Sequence, residues 1–382
     1  MKIYDIVILG GGASSLMCAA HLNKSLNVAI IDANDKLAKK LKISGGGKCN
    51  ITNKYVDVRN FDGDADLVKS VLERFDRDDM LQFLSNNKIE LELRKNRYYF
   101  CKKSSDDIIN VLKKKSSFAK VHLNTKVLDV KKSDEIFEIN TDKGVFKTNS
   151  LVVATGGESF KNIGASDIGL QIAKSFDIEV KNFTPALAGL TVQKEQFWMK
   201  ELSGLSCYVN IKVNDRVIKE EMLFAHKGIS GPAVLSASLY WRKGDISIDF
   251  LPNENIPDLI KGSKKLISSV IPLPKRLSKA LLEAIYVKDT ECKKVDAKTK
   301  EKLLRLHNYS FAPAGNFGFS KAEVSKGGII SNELNFVTFE SKKVKKLYFI
   351  GEVVDVTGEL GGYNFQWAFG SGMICAKNIN YN

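Results

Sequence analysis

The chain has 382 residues, 44% of them hydrophobic and 27% charged, which is enough apolar material for two or three folded domains and excludes a disordered chain, a collagen-like repeat or a small disulfide scaffold. Lys+Arg 58 against Asp+Glu 44 gives a formal charge of +14, and residues 261–305 contain 13 basic and 5 acidic side chains, so +8 of the +14 lies there. A local cationic surface attracts nucleic acid, anionic membrane or acidic substrates; the plain alternative is a solvated helix face.

The first element, Ile3-Tyr4-Asp5-Ile6-Val7-Ile8-Leu9, is a continuous aliphatic run, as expected of a parallel strand covered on both faces. Gly10-Gly11-Gly12 turns the chain, residues 13–23 follow as a helix, and Val28-Ala29-Ile30-Ile31 is a second strand ending at Asp32. This is a βαβ unit. Residues 64–86 and 104–115 have helical periodicity, and 121–131, 136–141 and 144–154 are expected strands, the last two joined by an Asp-Lys-Gly turn. The character changes near Pro185: residues 187–193, 207–213, 217–223 and 246–250 are short β-type runs, as in a small antiparallel sheet or barrel. Residues 252–305 return to helical spacing, with Leu277, Leu281, Leu282 and Ile285 on one face, and strands resume at 322–330. Leu347-Tyr348-Phe349-Ile350-Gly351 is a last aliphatic strand, followed by a Gly-rich turn and a helix to Lys377. The expected architecture is one α/β domain interrupted by a β insert that itself carries a helical insert.

Cys18, Cys49, Cys101, Cys207, Cys292 and Cys375 form no C-x-x-C pair, and His21, His122, His226 and His307 lack ligand spacing, so no metal is expected. No apolar run approaches the ~18 residues that span a bilayer. Residues 6–20 resemble a signal h-region, but three glycines interrupt them and the pattern continues as a nucleotide-binding unit. A cytoplasmic protein without membrane partners is expected.

Twelve of the 28 glycines fall in five clusters, at 10–12, 45–47, 156–157, 327–328 and 361–362. The first has the context of a dinucleotide fingerprint. Gly10 permits the turn, Gly12 lets a pyrophosphate approach, and Ala13, Ser14 and Ser15 open the helix whose N–H groups would receive it. Asp32, 22 residues after Gly10, suits the ribose hydroxyls. No second fingerprint occurs, so a nicotinamide donor, NADH or NADPH, would dock transiently. Ser44-Gly45-Gly46-Gly47-Lys48-Cys49-Asn50-Ile51-Thr52-Asn53 combines flexible backbone donors with amide and hydroxyl side chains and would wrap a diphosphate or ribityl chain.

Residues 43–53, with Asp32 and Lys40 before them, resemble the signature of the YhiN/BaiN-type FAD-dependent oxidoreductases. The resemblance continues through Ala154-Thr155-Gly156-Gly157, Pro185-Ala186-Leu187 and Leu223-Phe224-Ala225-His226-Lys227-Gly228-Ile229-Ser230-Gly231-Pro232. It returns at Gly327-Gly328, Gly351-Glu352-Val353-Val354-Asp355 and Gly361-Gly362-Tyr363-Asn364-Phe365-Gln366-Trp367-Ala368. It implies an α/β Rossmann-like FAD-binding domain (1–187 and 331–382), an inserted β-barrel domain (188–252 and 309–330) and a nested small helical domain (253–308). It also implies non-covalent FAD, with the C-terminal strand and helix closing over the isoalloxazine ring. The expected cofactor residues are those of the fingerprint with Lys40, Ser44, Gly46, Gly47, Cys49, Asn50, Val127, Ala154, Thr155, Gly156, Gly351, Glu352, Gly361, Gly362, Tyr363 and Asn364. Glu352 is expected against the ribityl hydroxyls, with a surface salt bridge as the alternative, Tyr363 against the ring, and Val127 beside the adenine through its backbone.

Two departures stand out. The family usually has glycine at Ser15, and a Tyr-Pro and Gly-Ser-Thr-Gly-Asp-Gly pattern where this chain has residues 159–169. Cys49 is the candidate redox thiol, with a packed residue as the alternative, and His226 the candidate proton donor, with a structural histidine as the alternative. The expected activity is hydride transfer through flavin N5 between NAD(P)H and a small organic substrate. The alternatives are a flavoprotein docking RNA through its basic insert, although Tyr286 and Tyr309 stand alone rather than in a stacking pattern, and a slow-turnover FAD-holding interaction protein.

Overall fold

The computed structural model describes residues 3–381. The chain folds as two compact units, Met1–Pro185 with Glu323–Asn382, and Ala186–Ala322.

In the first unit, Ile3–Leu9 lies between Val28–Ile31 and Gly144–Val153 in parallel register, and Lys120–His122 extends the sheet beyond Val28–Ile31. Strand Gly144–Val153 serves two neighbours on its other side. Residues 144–148 pair antiparallel with Ile136–Thr141, which pairs with Val127–Ser133, while Leu151, Val152 and Val153 pair parallel with Leu347–Phe349. Ile6, Val7, Ile8 and Leu9 are all buried, because both faces of the sheet are covered, and this explains the unbroken apolar run. Helix Ala13–His21 and the last helix, Tyr363–Tyr381, pack together; a side chain at Gly372 would strike the Ser14 carbonyl oxygen.

Three features differ from the sequence expectation. The single strand expected at 121–131 is broken at 123–126, where the chain turns to give the Asn124 N–H to Asn34 O (2.8 Å) and the Thr125 N–H to Asp32 O (2.9 Å). A small sheet of Asn50–Asn53, Tyr98–Cys101 and Leu91–Arg94 forms where no strands were expected. Strand Val324–Ile329, expected with the insert, pairs with Val180–Ala186 and lies in the first unit, so the return boundary falls at 322/323 instead of 330/331.

The second unit has a seven-stranded antiparallel sheet in the order Tyr309–Phe311, Ile246–Asp249, Ser206–Val213, Arg216–Ala225, Gly228–Ser230, Leu190–Thr191, Gly315–Asn316. Its two end strands are separated only by residues 312–314, a reach of at most about 14 Å. The sheet therefore curls until the chain itself ties its edges; among the described residues no ladder joins them. The helices of 253–308 add no separate core. Leu277, Leu281, Leu282 and Ile285 are buried on the expected face and join the same cluster as Val209, Ile211 and Ile248 of the sheet.

Among the described residues, no helix is long and apolar enough to cross a membrane, and no cluster of three His, Cys, Asp or Glu side chains could hold a metal ion.

Candidate functional site

The parallel register of the first unit brings the C-terminal ends of Ile3–Leu9, Val28–Ile31, Gly144–Val153 and Leu347–Phe349 to one edge of the sheet. Ligands of open α/β sheets sit outside such an edge. Gly10–Gly12, Asp32, residues 154–157 and Gly351-Glu352 all follow these strand ends directly.

Gly10 has a φ of +97° and gives its N–H to Ile31 O (2.8 Å); a side chain there would strike Ala154 O. The Gly11 N–H bonds Asp32 Oδ2 (2.5 Å), and the Asn34 N–H bonds Asp32 Oδ1 (2.7 Å). Asp32 thus braces the turn with both oxygens, each of which can accept a further hydrogen bond. Gly12 is the N-cap of helix Ala13–His21, has no side-chain cap, and faces open space where a Cβ would stand. The first-turn N–H groups and the positive end of the helix dipole are therefore available to an anion. Ser14 and Ser15 are buried in that turn, and the Ser15 hydroxyl has no hydrogen-bond partner among the described residues.

The second cradle is the turn Ser44–Gly47. Gly45, Gly46 and Gly47 are all left-handed, with φ of 56°, 66° and 83°. Gly45 packs against Phe100, whereas a Cβ on Gly46 would meet nothing within 4 Å. Ser44 Oγ donates to Leu41 O (2.8 Å), and the Cys49 N–H bonds Ser44 O (3.0 Å), closing the turn. Asn50 begins the strand that pairs with Tyr98–Cys101. The Cys49 side chain is fully buried, and burial pushes its thiol well above the ordinary range. A thiol held protonated in this way is a poor nucleophile, as expected of the packed alternative.

Residues 154–157 form the third cradle. The Ala154 N–H continues the ladder to Leu9 O (2.9 Å), and Gly156, at a φ of +73°, also faces open space. The Thr155 hydroxyl is buried without a hydrogen-bond partner among the described residues. Beside it, Lys40 Nζ is 2.7 Å from Glu352 Oε2 and 5.7 Å from the centroid of the Phe160 ring. Glu352 Oε1 accepts the Ser325 N–H (2.8 Å), and Ser325 Oγ accepts the N–H groups of Glu158 (2.8 Å) and Ser159 (3.0 Å). Sequence reasoning missed Ser325 and Phe160; neither lies in a glycine cluster.

At the start of the last helix the side chains do other work than expected. Tyr363 is fully buried, with its hydroxyl donating to Tyr55 O (3.1 Å) and its ring edge-on to Phe61. Asn364 bridges the N–H and C=O of Gly358, both at 2.9 Å. The Tyr363 side chain is thus turned into the protein, and the half-buried Asn364 amide is engaged with Gly358. Gly361 accepts Asn53 Nδ2 (3.0 Å), and Gly362, at a φ of +93°, lies against the Thr52 backbone, so this turn is tied to the strand after the second cradle. Gly351, at a φ of +75°, packs on Ser14 and accepts the Trp367 indole N–H (3.0 Å).

Val127 begins its strand two residues after Thr125, which is bonded to Asp32 O. His226 is exposed at the turn between Arg216–Ala225 and Gly228–Ser230, in the second unit.

Glycine turns at the strand ends, an acidic residue closing the second strand and an uncapped helix start define a dinucleotide-binding fold. The chain belongs to the family described as HI0933-like protein Rossmann domain, which it matches over residues 4–378. This is a family of FAD-dependent oxidoreductases. The chain is 34% identical over 394 residues to the ribosomal RNA dihydrouridine synthase of Escherichia coli (strain K12), covering 99% of this chain and 98% of that protein. It is 27% identical over 402 residues to the 3-dehydro-bile acid delta(4,6)-reductase of Clostridium scindens, covering 97% and 98%. Among solved structures, a quinol-fumarate reductase with menaquinol shares the fold at a TM-score of 0.54 and 14% identity, over 100% of this chain and 72% of that one.

The residues present fit FAD. Gly12, Gly46 and Gly156 leave space where a side chain would intrude, and the helix start and the Ser15 and Thr155 hydroxyls are polar groups without a protein partner.

Proposed function

We propose that this protein is an FAD-dependent reductase that adds hydride and a proton across a carbon–carbon double bond conjugated to a carbonyl, with NADH or NADPH as the electron source. The observation that carries the reading is the set of three unfilled glycine positions, Gly12, Gly46 and Gly156, together with one uncapped helix start. The names of the two relatives support the bond change. Dihydrouridine is uridine saturated at one ring double bond, and a delta(4,6)-reductase also saturates carbon–carbon bonds, so two unlike acceptors share one transformation.

Bound FAD supplies the two-electron carrier. In this reading the N–H groups of residues 12–15 and 45–47 hold the diphosphate, and Asp32 the ribose. Val127 flanks the adenine. Residues 154–156, with Lys40, Glu352 and the main chain of 361–364, line the flavin end. Saturation also consumes a proton, which we assign to His226, the one histidine in a family-like string and exposed to solvent. The donor docks without a fingerprint of its own.

The test is an anaerobic spectrum of the purified protein with NADPH and then NADH, followed by acceptor. Bleaching of the flavin bands by a donor and their return with a conjugated acceptor is expected. A flavin that neither donor bleaches would leave the interaction-protein reading in place. His226→Gln is expected to slow reoxidation by the acceptor at an unchanged rate of flavin reduction; unchanged reoxidation would remove His226 from the proton role.

A second reading concerns the acceptor, and the charge of residues 261–305 favours it: a uracil in ribosomal RNA in place of a free small molecule. Mass spectrometry of ribosomal RNA nucleosides from cells with and without the gene decides it. Loss of dihydrouridine supports the RNA acceptor, and unchanged RNA returns the reading to a small molecule.

A further inference from the structure

Residues 261–305 form the helical side of the second unit, including Lys275–Ala284 and Ala297–Leu304. Their cationic side chains are exposed, except for half-buried Lys302. Lys293 and Lys294 share Glu291, Lys302 Nζ donates to Tyr286 O (3.0 Å), and Arg276 reaches Glu201 O (3.0 Å). Lys264, Lys265, Lys279, Lys288, Lys298 and Lys300 have no ion pair among the described residues, so their charge faces solvent.

Within this surface stands Tyr286. Helix Lys275–Ala284 ends in a Schellman-type turn: the Tyr286 N–H bonds Glu283 O (3.0 Å), and the Val287 N–H bonds Leu282 O (2.9 Å). The residue at the turn must be left-handed, and glycine is the usual occupant. Here a tyrosine takes it at a φ of +56°, a backbone conformation that is sterically unfavourable for an aromatic side chain. Nothing is gained in packing, because Tyr286 is 81% exposed, while Val287 turns inward. The fold accepts a poor turn residue and an unburied ring at one position, two residues before Lys288 and with its carbonyl bonded by Lys302.

We infer that this surface docks single-stranded RNA, with Tyr286 stacking on an unpaired base and the surrounding lysines meeting the phosphates. The inference rests on the RNA reading of the acceptor. A cationic track with an exposed aromatic face is how proteins hold single strands without reading sequence, and duplex RNA offers no free base face to the ring.

The test uses the full-length, FAD-loaded protein and a short fluorescein-labelled oligouridylate, read by anisotropy across a salt series. Tyr286→Gly is the decisive variant, because glycine suits the turn and leaves the protein as stable as before or more so. Its affinity is expected to fall by about 5- to 150-fold, the range of one base–aromatic stack, while Tyr286→Trp binds like the wild type. Lys288→Ala with Lys302→Ala is expected to lower the salt slope by about 1.4, at roughly 0.7 per phosphate contact. Equal binding by Tyr286→Gly and wild type, or a preference for duplex over single strand, overturns the proposal. If wild type saturates uridine in ribosomal RNA and Tyr286→Gly does so with unchanged KM, the RNA reading stands and this surface is wrong. If wild type binds no RNA yet turns over a conjugated steroid, both fall.

Discussion

Lys40 and Glu352, both expected to touch the cofactor, are partners of each other: Nζ and Oε2 are 2.7 Å apart across 312 residues of sequence. The pair is partly exposed, at 32% and 21%, so on its own it contributes about 1 kcal/mol or less. Its larger role is as a brace. Glu352 Oε1 holds the Ser325 N–H, and Ser325 Oγ in turn holds the N–H groups of Glu158 and Ser159. One carboxylate therefore fixes the turn after the third cradle and the segment around Lys40 together. Glu352→Gln keeps the oxygen that Ser325 needs and is expected to lose little FAD. Glu352→Ala releases both partners, and its FAD affinity is expected to fall about tenfold or more, the effect of one lost charge-assisted bond. Dilution of holoprotein, followed by flavin fluorescence, measures the difference; equal retention in the two variants would show that the brace does not serve the cofactor.

Gly12→Ala separates cofactor contact from folding. The backbone at Gly12, φ −86° and ψ −165°, suits any residue, and a Cβ there meets nothing within 4 Å, so the apoprotein is expected to unfold at the same temperature as wild type. A bound diphosphate would have to approach through that space. The methyl is expected to cost about 1–3 kcal/mol of FAD binding, as overpacking does elsewhere, or about 5- to 150-fold in Kd. Titration of apoprotein with FAD checks this, and undiminished affinity would move the diphosphate away from Gly12.

What the sequence made legible follows from periodicity and local turn chemistry. Ile6 to Leu9 form an apolar run because the strand is covered on both faces, and Gly10 is needed where the chain passes against Ala154. Leu277, Leu281, Leu282 and Ile285 lie on one helix face because the spacing allows nothing else. The misses are non-local. Tyr363 lies in a glycine-rich string that suggests a ligand contact, yet its partner is the carbonyl of Tyr55, 308 residues away. Ser325 carries no local signal, since its importance comes from a carboxylate and two amides supplied by other segments. Strand Val324–Ile329 joined the first unit through pairing with Val180–Ala186, a choice that short β-type runs do not encode.

Cys49→Ala is expected to keep both FAD and its reduction by NAD(P)H. All six cysteines are buried. Burial pushes Cys101 and Cys207 up to about 12 and Cys49 higher still, so thiolate is scarce at neutral pH. A soluble disulfide reagent at pH 7 is accordingly expected to titrate no thiol in the native protein and six after denaturation. Loss of flavin reduction in Cys49→Ala at full FAD occupancy would restore the catalytic role.

His21 makes stability depend on pH. Its ring lies 5.7 Å from Phe83, with Nδ1 2.9 Å from Met17 O. Burial is the main cause of a pKa below the ordinary 6.5, the charges of Lys115 and Lys377 add to it, and the bond to Met17 opposes it. His122, beside Tyr4, is lowered in the same direction by burial and by Lys120. Below 6.5 the unfolded chain takes up protons that the folded chain refuses, so the unfolded state binds more of them and is favoured. Stability is therefore expected to be complete above about pH 7, to fall as pH drops through the window below 6.5, and to level off once the folded histidines also protonate. Urea unfolding at a series of pH values is the measurement, comparing wild type with His21→Gln, whose amide can still meet Met17 O. The variant is expected to lose less stability than wild type between pH 7 and pH 5, because glutamine has no proton to refuse; parallel curves would assign the acid sensitivity to other groups.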